Sequence, residues 1–140
     1  MLRHRKLLVV DDQRDICEVI QCCLAQHSYD VDYAIDSPSA KRKLEADTYD
    51  LVIIDMLMPG EGDLQLVKFA ETQGIPVLLT SGHPEMIAEV AQQFPYPLLP
   101  KPFHLNELKG AVRCAIRASY NKDHSEGDSA GLETRAMAKD

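Results

Sequence analysis

The chain has 140 residues, with 15 Lys+Arg against 22 Asp+Glu and a formal net charge of −7. That length fits one ordinary domain with one core, and 45% hydrophobic with 26% charged residues excludes a disordered or fibrous chain. The acidic balance argues against a grip on phosphate backbones, so no direct nucleic-acid partner is expected. No stretch approaches the roughly 18 uncharged apolar residues of a membrane span. The basic start, Arg3-His4-Arg5-Lys6, leads into an apolar run that Asp11-Asp12 cut short, so no secretory signal is expected. Cys17, Cys22, Cys23 and Cys114 form no CxxC pair, which reads as reduced thiols in a cytoplasmic protein.

In chain order, Lys6–Val10 reads as a buried strand. Gln13–Gln26 follows as a helix whose Ile16, Val19, Ile20, Cys23 and Leu24 recur at spacings of three and four. Val31–Ile35 is a second strand, and Ser37-Pro38 offers an N-cap and first helical position for a helix over Ser39–Ala46. Leu51–Ile54 is an apolar strand ending at Asp55. Met58-Pro59-Gly60-Glu61-Gly62 reads as a loop, after which Leu64, Leu66, Val67 and Ala70 begin a third helix. Ile75–Thr80, Glu85–Gln93 and Tyr96–Leu99 read as strand, helix and strand, and a fifth helix spans Leu105 to Ala118. Residues 5–118 make the folded domain. Residues 119–140, with three basic and five acidic residues and few large apolar ones, read as a polar, flexible tail.

Five strands alternating with five helices predict parallel βαβ units with helices on both faces. Continuously apolar strands fit a sheet covered on both sides. The two edges are marked by polarity (Asp30 and Asp32) and by prolines (Pro95, Pro97, Pro100), since proline cannot donate to a ladder. Edges at the second and fifth strands give the order 2-1-3-4-5, a flavodoxin-like doubly wound five-stranded parallel sheet.

Ligands of such sheets bind beyond the carboxyl ends of the strands, at the switch point of the order. The residues delivered there are Asp11 and Asp12, Asp55, Thr80 and Ser81, and Lys101. Three carboxylates so placed repel by a few kcal/mol per pair at an effective dielectric of about 20. They bind a proton or recruit a cation, and a carboxylate set beside an anion suits Mg²⁺. A carboxylate can also accept a phosphoryl group, with metal and lysine neutralising the transferring charge.

Asp11-Asp12, Asp55 within Val52-Ile53-Ile54-Asp55-Met56-Leu57-Met58-Pro59, Thr80-Ser81-Gly82 and Lys101-Pro102-Phe103 together resemble the receiver domain of two-component response regulators, of the stand-alone single-domain type. The resemblance covers about residues 5–118. It implies that Asp55 accepts a phosphoryl group from a phosphohistidine of a histidine kinase or histidine phosphotransfer protein. It further implies Mg²⁺ on Asp12, Asp55 and the Leu57 backbone carbonyl, with Asp11 acting through water. Thr80 and Lys101 would contact the phosphoryl group, and the Lys101-Pro102 bond is often cis in the family. The implied role is a phosphoacceptor switch and not a turnover enzyme, read out by a downstream protein target or a phosphorylation-dependent dimer.

Several positions depart from the family pattern. Leu98 stands where a switch Tyr or Phe is common, three residues before the lysine, while Tyr96 shares its strand face under period two. Tyr96, Leu98 and Phe103 are the candidate switch and partner face. Asp63 stands where glycine is usual, and neither Leu57 nor Gly82 brings a polar side chain. Singly, each site residue has an ordinary reading as a cap, a turn residue or a surface charge. The alternative on the same fold is a phosphorylation-independent interaction module or a phosphate sink. An aspartyl-phosphate hydrolase fits poorly, because Asp11 and Asp12 are adjacent and Gln13 follows. A flavin site fits worse, because the loop after the first strand is acidic.

Overall fold

The computed structural model describes residues 4–56, 61–83, 88, 92 and 95–124. Five parallel strands, β1 (Arg5–Val10), β2 (Tyr29–Ala34), β3 (Leu51–Asp55), β4 (Val77–Ser81) and β5 (Leu98–Pro100), form one sheet in the order β2-β1-β3-β4-β5. Helices α1 (Arg14–Ala25), α2 (Ser37–Ala46), α3 (Glu61–Thr72) and α4 (Leu105–His124) cover it. The predicted order and both predicted edges hold. The helix expected over Glu85–Gln93 falls outside the described residues except at positions 88 and 92.

Each strand sends alternate side chains to opposite faces, so the sheet separates two cores. Leu8, Val10, Val52, Ile54, Val77 and Leu79 pack with Ala40 and Leu44 of α2 and Leu66, Val67 and Ala70 of α3. Leu7, Val9, Val31, Leu51, Ile53 and Leu78 pack with Cys17, Ile20 and Leu24 of α1 and Leu108, Val112 and Ala115 of α4. β3 and β4 are buried along their whole length, which is why they carry no alternation in sequence.

Several boundaries differ from the sequence expectation, each for a local reason. The N-cap of α2 is Asp36 and not Ser37: Asp36 is extended (φ −152°, ψ 165°) and its carboxylate accepts the Ser39 N–H, while Ser37 already lies in the helix. Glu61 and Gly62 are helical and not loop, and Asp63, in the first turn of α3, accepts a hydrogen bond from the Ser37 hydroxyl at 3.4 Å. β4 starts at Val77 and not Ile75. The Ile75 N–H donates back to the Ala70 carbonyl (3.0 Å) and the Gly74 N–H to Glu71 (3.0 Å), closing α3 with a left-handed Gly74 (φ 72°). β2 begins earlier, at Tyr29, directly after Ser28 turns the chain at φ 70°. β5 is shifted to Leu98–Pro100, paired Leu79↔Leu98 and Thr80↔Leu99. The last helix runs past Ala118 to His124, so residues 119–124, placed in the tail by composition, are helical.

Candidate functional site

The site forms where β1, β3, β4 and β5 end. β1 stops at Val10, and the Asp11 N–H continues its ladder to the Ala34 carbonyl at 3.1 Å. Asp11 Oδ1 then accepts the Gln13 N–H at 3.0 Å, which turns the chain into α1. Asp55 closes β3 and pairs directly with Thr80 of β4. That register brings Thr80 Oγ1 within 3.1 Å of Asp55 Oδ1, to which it donates. Lys101 follows β5 and donates its N–H to the Ser81 carbonyl at 2.7 Å. Its Nζ reaches Asp11 Oδ2 at 2.8 Å and Asp55 Oδ1 at 3.1 Å. The Lys101-Pro102 peptide is cis.

Asp11, Asp55, Thr80 and Ser81 are buried, whereas Asp12 is exposed. One carboxylate oxygen from each of Asp11, Asp12 and Asp55 lies within 4.8 Å of the others. Burial, then the charge of Asp11, pushes the Asp55 carboxyl above its ordinary range, against the pull of Lys101 and the Thr80 hydrogen bond. For Lys101, burial lowers the pKa, but the hydrogen bond to Asp11 and the charges of Asp55 and Asp11 outweigh it, and the net shift is upward. The Asp55 rise is first a cost of burial and the Lys101 rise a gain from its two carboxylate partners, and one ammonium against two buried carboxylates leaves the pocket short of positive charge. An all-oxygen donor set with surplus negative charge fits a hard divalent cation, and the three aspartates could hold one.

The structure thus brings together Asp11, Asp12, Asp55, Thr80 and Lys101. Leu57 lies outside the described residues. Tyr96, Leu98 and Phe103 do not share a face: Tyr96 and Leu98 pack on the α2–α3 core, while Phe103 packs on the α1–α4 core. Burial raises the Tyr96 phenol pKa, as does its hydrogen bond with Glu71 of α3. Two further residues shape the pocket: Ser81, which the sequence already places at the carboxyl end of the fourth strand, and Cys17, which it reads only as a reduced thiol. Ser81, fully buried, accepts the His83 N–H at 3.2 Å and so orders the loop after β4. Cys17 donates its thiol to the Asp11 carbonyl at 3.3 Å, and its pKa rises to about 11 through burial and the charge of Asp11. Beside the pocket, a groove of about 900 Å³ lined by Asp12, Gln13, Ile16, Val19, Lys101, Phe103 and Leu105 runs between α1 and the start of α4. Val19 (53% exposed) and Leu105 (42%) stand on it.

A doubly wound sheet of this order, with acidic groups at its switch point and a lysine from its last strand, defines a class of signalling module. The family model of the response regulator receiver domain matches residues 7–113, and the chain belongs to that family. Transcriptional regulatory protein TctD of Salmonella typhimurium is 30% identical over 127 residues, covering 85% of this chain and 55% of that protein. Response regulator MprA of Mycobacterium ulcerans is 27% identical over 139 residues, covering 96% of this chain and 60% of MprA. The chain therefore spans a little over half the length of these relatives. Among solved structures, chemotaxis protein CheY4 of Vibrio cholerae superposes with a TM-score of 0.71 at 26% identity, over 81% of this chain and 99% of CheY4. A CheY-like receiver domain of Methanospirillum hungatei gives 0.76 over 86% and 99%; at 18% identity it speaks for the fold alone. No helix among the described residues is long and apolar enough to cross a membrane.

Proposed function

We propose that Asp55 accepts a phosphoryl group from a phosphohistidine of a histidine kinase or histidine phosphotransfer protein, in a Mg²⁺-dependent reaction, and that the chain signals by phosphorylation-dependent protein binding. The observation that carries this reading is the setting of Asp55, a buried carboxylate with the Thr80 hydroxyl and the Lys101 ammonium both on Oδ1. In the transfer, an Asp55 oxygen forms the new O–P bond. The P–N bond of the donor breaks, and its electron pair returns to the imidazole nitrogen. Asp11, Asp12 and Asp55 would hold Mg²⁺, which when bound supplies charge neutralisation for the phosphoryl oxygens.

The protein's own contribution is a change of partners. The phosphoryl group adds roughly −1.5 to −2 charge. Lys101, held between two carboxylates, would turn to it, and the Thr80 hydroxyl would follow. Because Thr80 lies one residue before the end of β4 and Lys101 directly follows β5, their movement would bias the loops that leave these strands. This makes the chain a switch and not a turnover catalyst. The groove beside Asp12 and Lys101 has the size and the exposed apolar rim to receive a protein donor.

Incubation with a small-molecule phosphodonor and Mg²⁺, followed by intact mass measurement, tests the reading. A single phosphoryl adduct in the native protein and none in Asp55→Asn is the expected result. Absence of the adduct from the native protein would overturn it.

A further inference from the structure

At the opposite, N-terminal rim of the sheet lies a second cleft of about 270 Å³, lined by Arg5, Tyr29, Arg113, Ile116 and Arg117. Arg5 and Tyr29 begin β1 and β2 and pair directly across the ladder, so their side chains leave the same face. Tyr29 and Ile116 pack against the α1–α4 core, which gives the cleft an apolar floor. Arg113 and Arg117 are exposed and stand one turn apart on α4, facing the same opening. Three arginines thus line one concavity in a chain of net charge −7. Arg5 has an ion-pair contact with Asp50 at 3.9 Å, longer than a hydrogen bond, and neither Arg113 nor Arg117 has an ion pair among the described residues.

We propose that this cleft binds a small phosphate monoester. Its phosphate would sit on the guanidinium forks of Arg113 and Arg117 with help from Arg5, and its organic part on the Tyr29 ring and Ile116. Arg113 and Arg117 carry like charges one turn apart, and Asp50 pairs with Arg5, so a dianion seated at the cleft would compensate positive charge that the described residues leave unpaired. Planar guanidiniums match phosphate oxygens two at a time, so several forks suit a tetrahedral dianion better than a single carboxylate, which one arginine already satisfies. The volume falls just below the usual small-ligand range of about 300–1,000 Å³, which suits a phosphate carrying a single ring or a few carbons. The site is remote from Asp55 and is independent of any phosphoryl transfer there.

Phenyl phosphate is a suitable probe, titrated into the full chain without divalent metal while the arginine Nε–Hε resonances are followed by NMR, with sodium chloride at matched ionic strength as control. Saturable shifts at Arg113 and Arg117 are expected. Binding about tenfold weaker or worse is expected in the Arg113→Gln/Arg117→Gln double variant, the loss of two charge-assisted contacts. Shifts in the native protein that fail to saturate, or that chloride reproduces, would overturn the proposal whatever the variant does. Undiminished binding in the folded double variant would overturn it equally.

Discussion

Replacing Lys101 with methionine removes one charge from the acidic pocket while keeping most of the side chain's length. At an effective dielectric of about 20, the contacts of Nζ with Asp11 at 2.8 Å and Asp55 at 3.1 Å correspond to about 6 and about 5 kcal/mol of gross attraction. The buried Asp11 and Asp55 oxygens, within 4.8 Å of each other, repel by at least about 3 kcal/mol on the same scale. Desolvation of all three groups consumes much of the gross attraction. What remains on removing one partner from a buried ion pair is typically about 3–5 kcal/mol of lost stability. We expect Lys101→Met to lie near the lower end of that range, about 3 kcal/mol in urea denaturation at neutral pH without divalent metal, because the two stranded carboxylates can take up a proton. The pH dependence follows from the signs of the shifts. The raised Asp55 pKa means that its ionisation weakens the fold above that value and does no harm below its ordinary range. The Lys101 contribution is fully present below its ordinary pKa of 10.5 and is lost only as pH rises through the raised value, so it is constant near neutrality. The gap between variant and native protein should therefore narrow on acidification, and narrow again with excess Mg²⁺ at neutral pH. Equal stability of the two proteins without metal, or a gap indifferent to both treatments, would refute the electrostatic account of the pocket.

Asp36→Ala should cost about 1 kcal/mol in the same assay through loss of the α2 cap, while Ser37→Ala, inside the helix, should cost markedly less. Equal losses would show that the hydrogen bond from the Ser39 N–H does not hold the helix start. The Cys17 thiol, buried and with a pKa raised to about 11, should resist alkylation in the native protein, while the exposed Cys22 and Cys114 react first. Peptide mapping after a short exposure to iodoacetamide at mildly alkaline pH reads the order, and early labelling of Cys17 would contradict its placement behind Asp11.

Much of the fold was legible in the chain because its signals are local. A strand buried on both faces must be apolar throughout, as Leu51–Ile54 is, and an edge strand can tolerate prolines, as the Pro95–Pro100 region does. Element boundaries were less legible because neighbouring residues compete for the same role. Asp36 and Ser37 are both good caps, and only the extended backbone at Asp36 decides between them. Ile75 is a good strand residue, yet its N–H is already taken by the end of α3.

By itself the sequence determined the sheet order and which polar residues arrive at its carboxyl end, since strand count, edge composition and the residue after each strand are all properties of short segments. Only the tertiary structure decided what those residues touch. Lys101 and Asp11 are 90 positions apart, and their contact depends on the register that sets Asp55 against Thr80 and β5 beside β4. In sequence, Lys101 is a partner for some anion. In the folded chain that anion is a pair of buried aspartates, because a pocket closed over two carboxylates must hold its nearest cation.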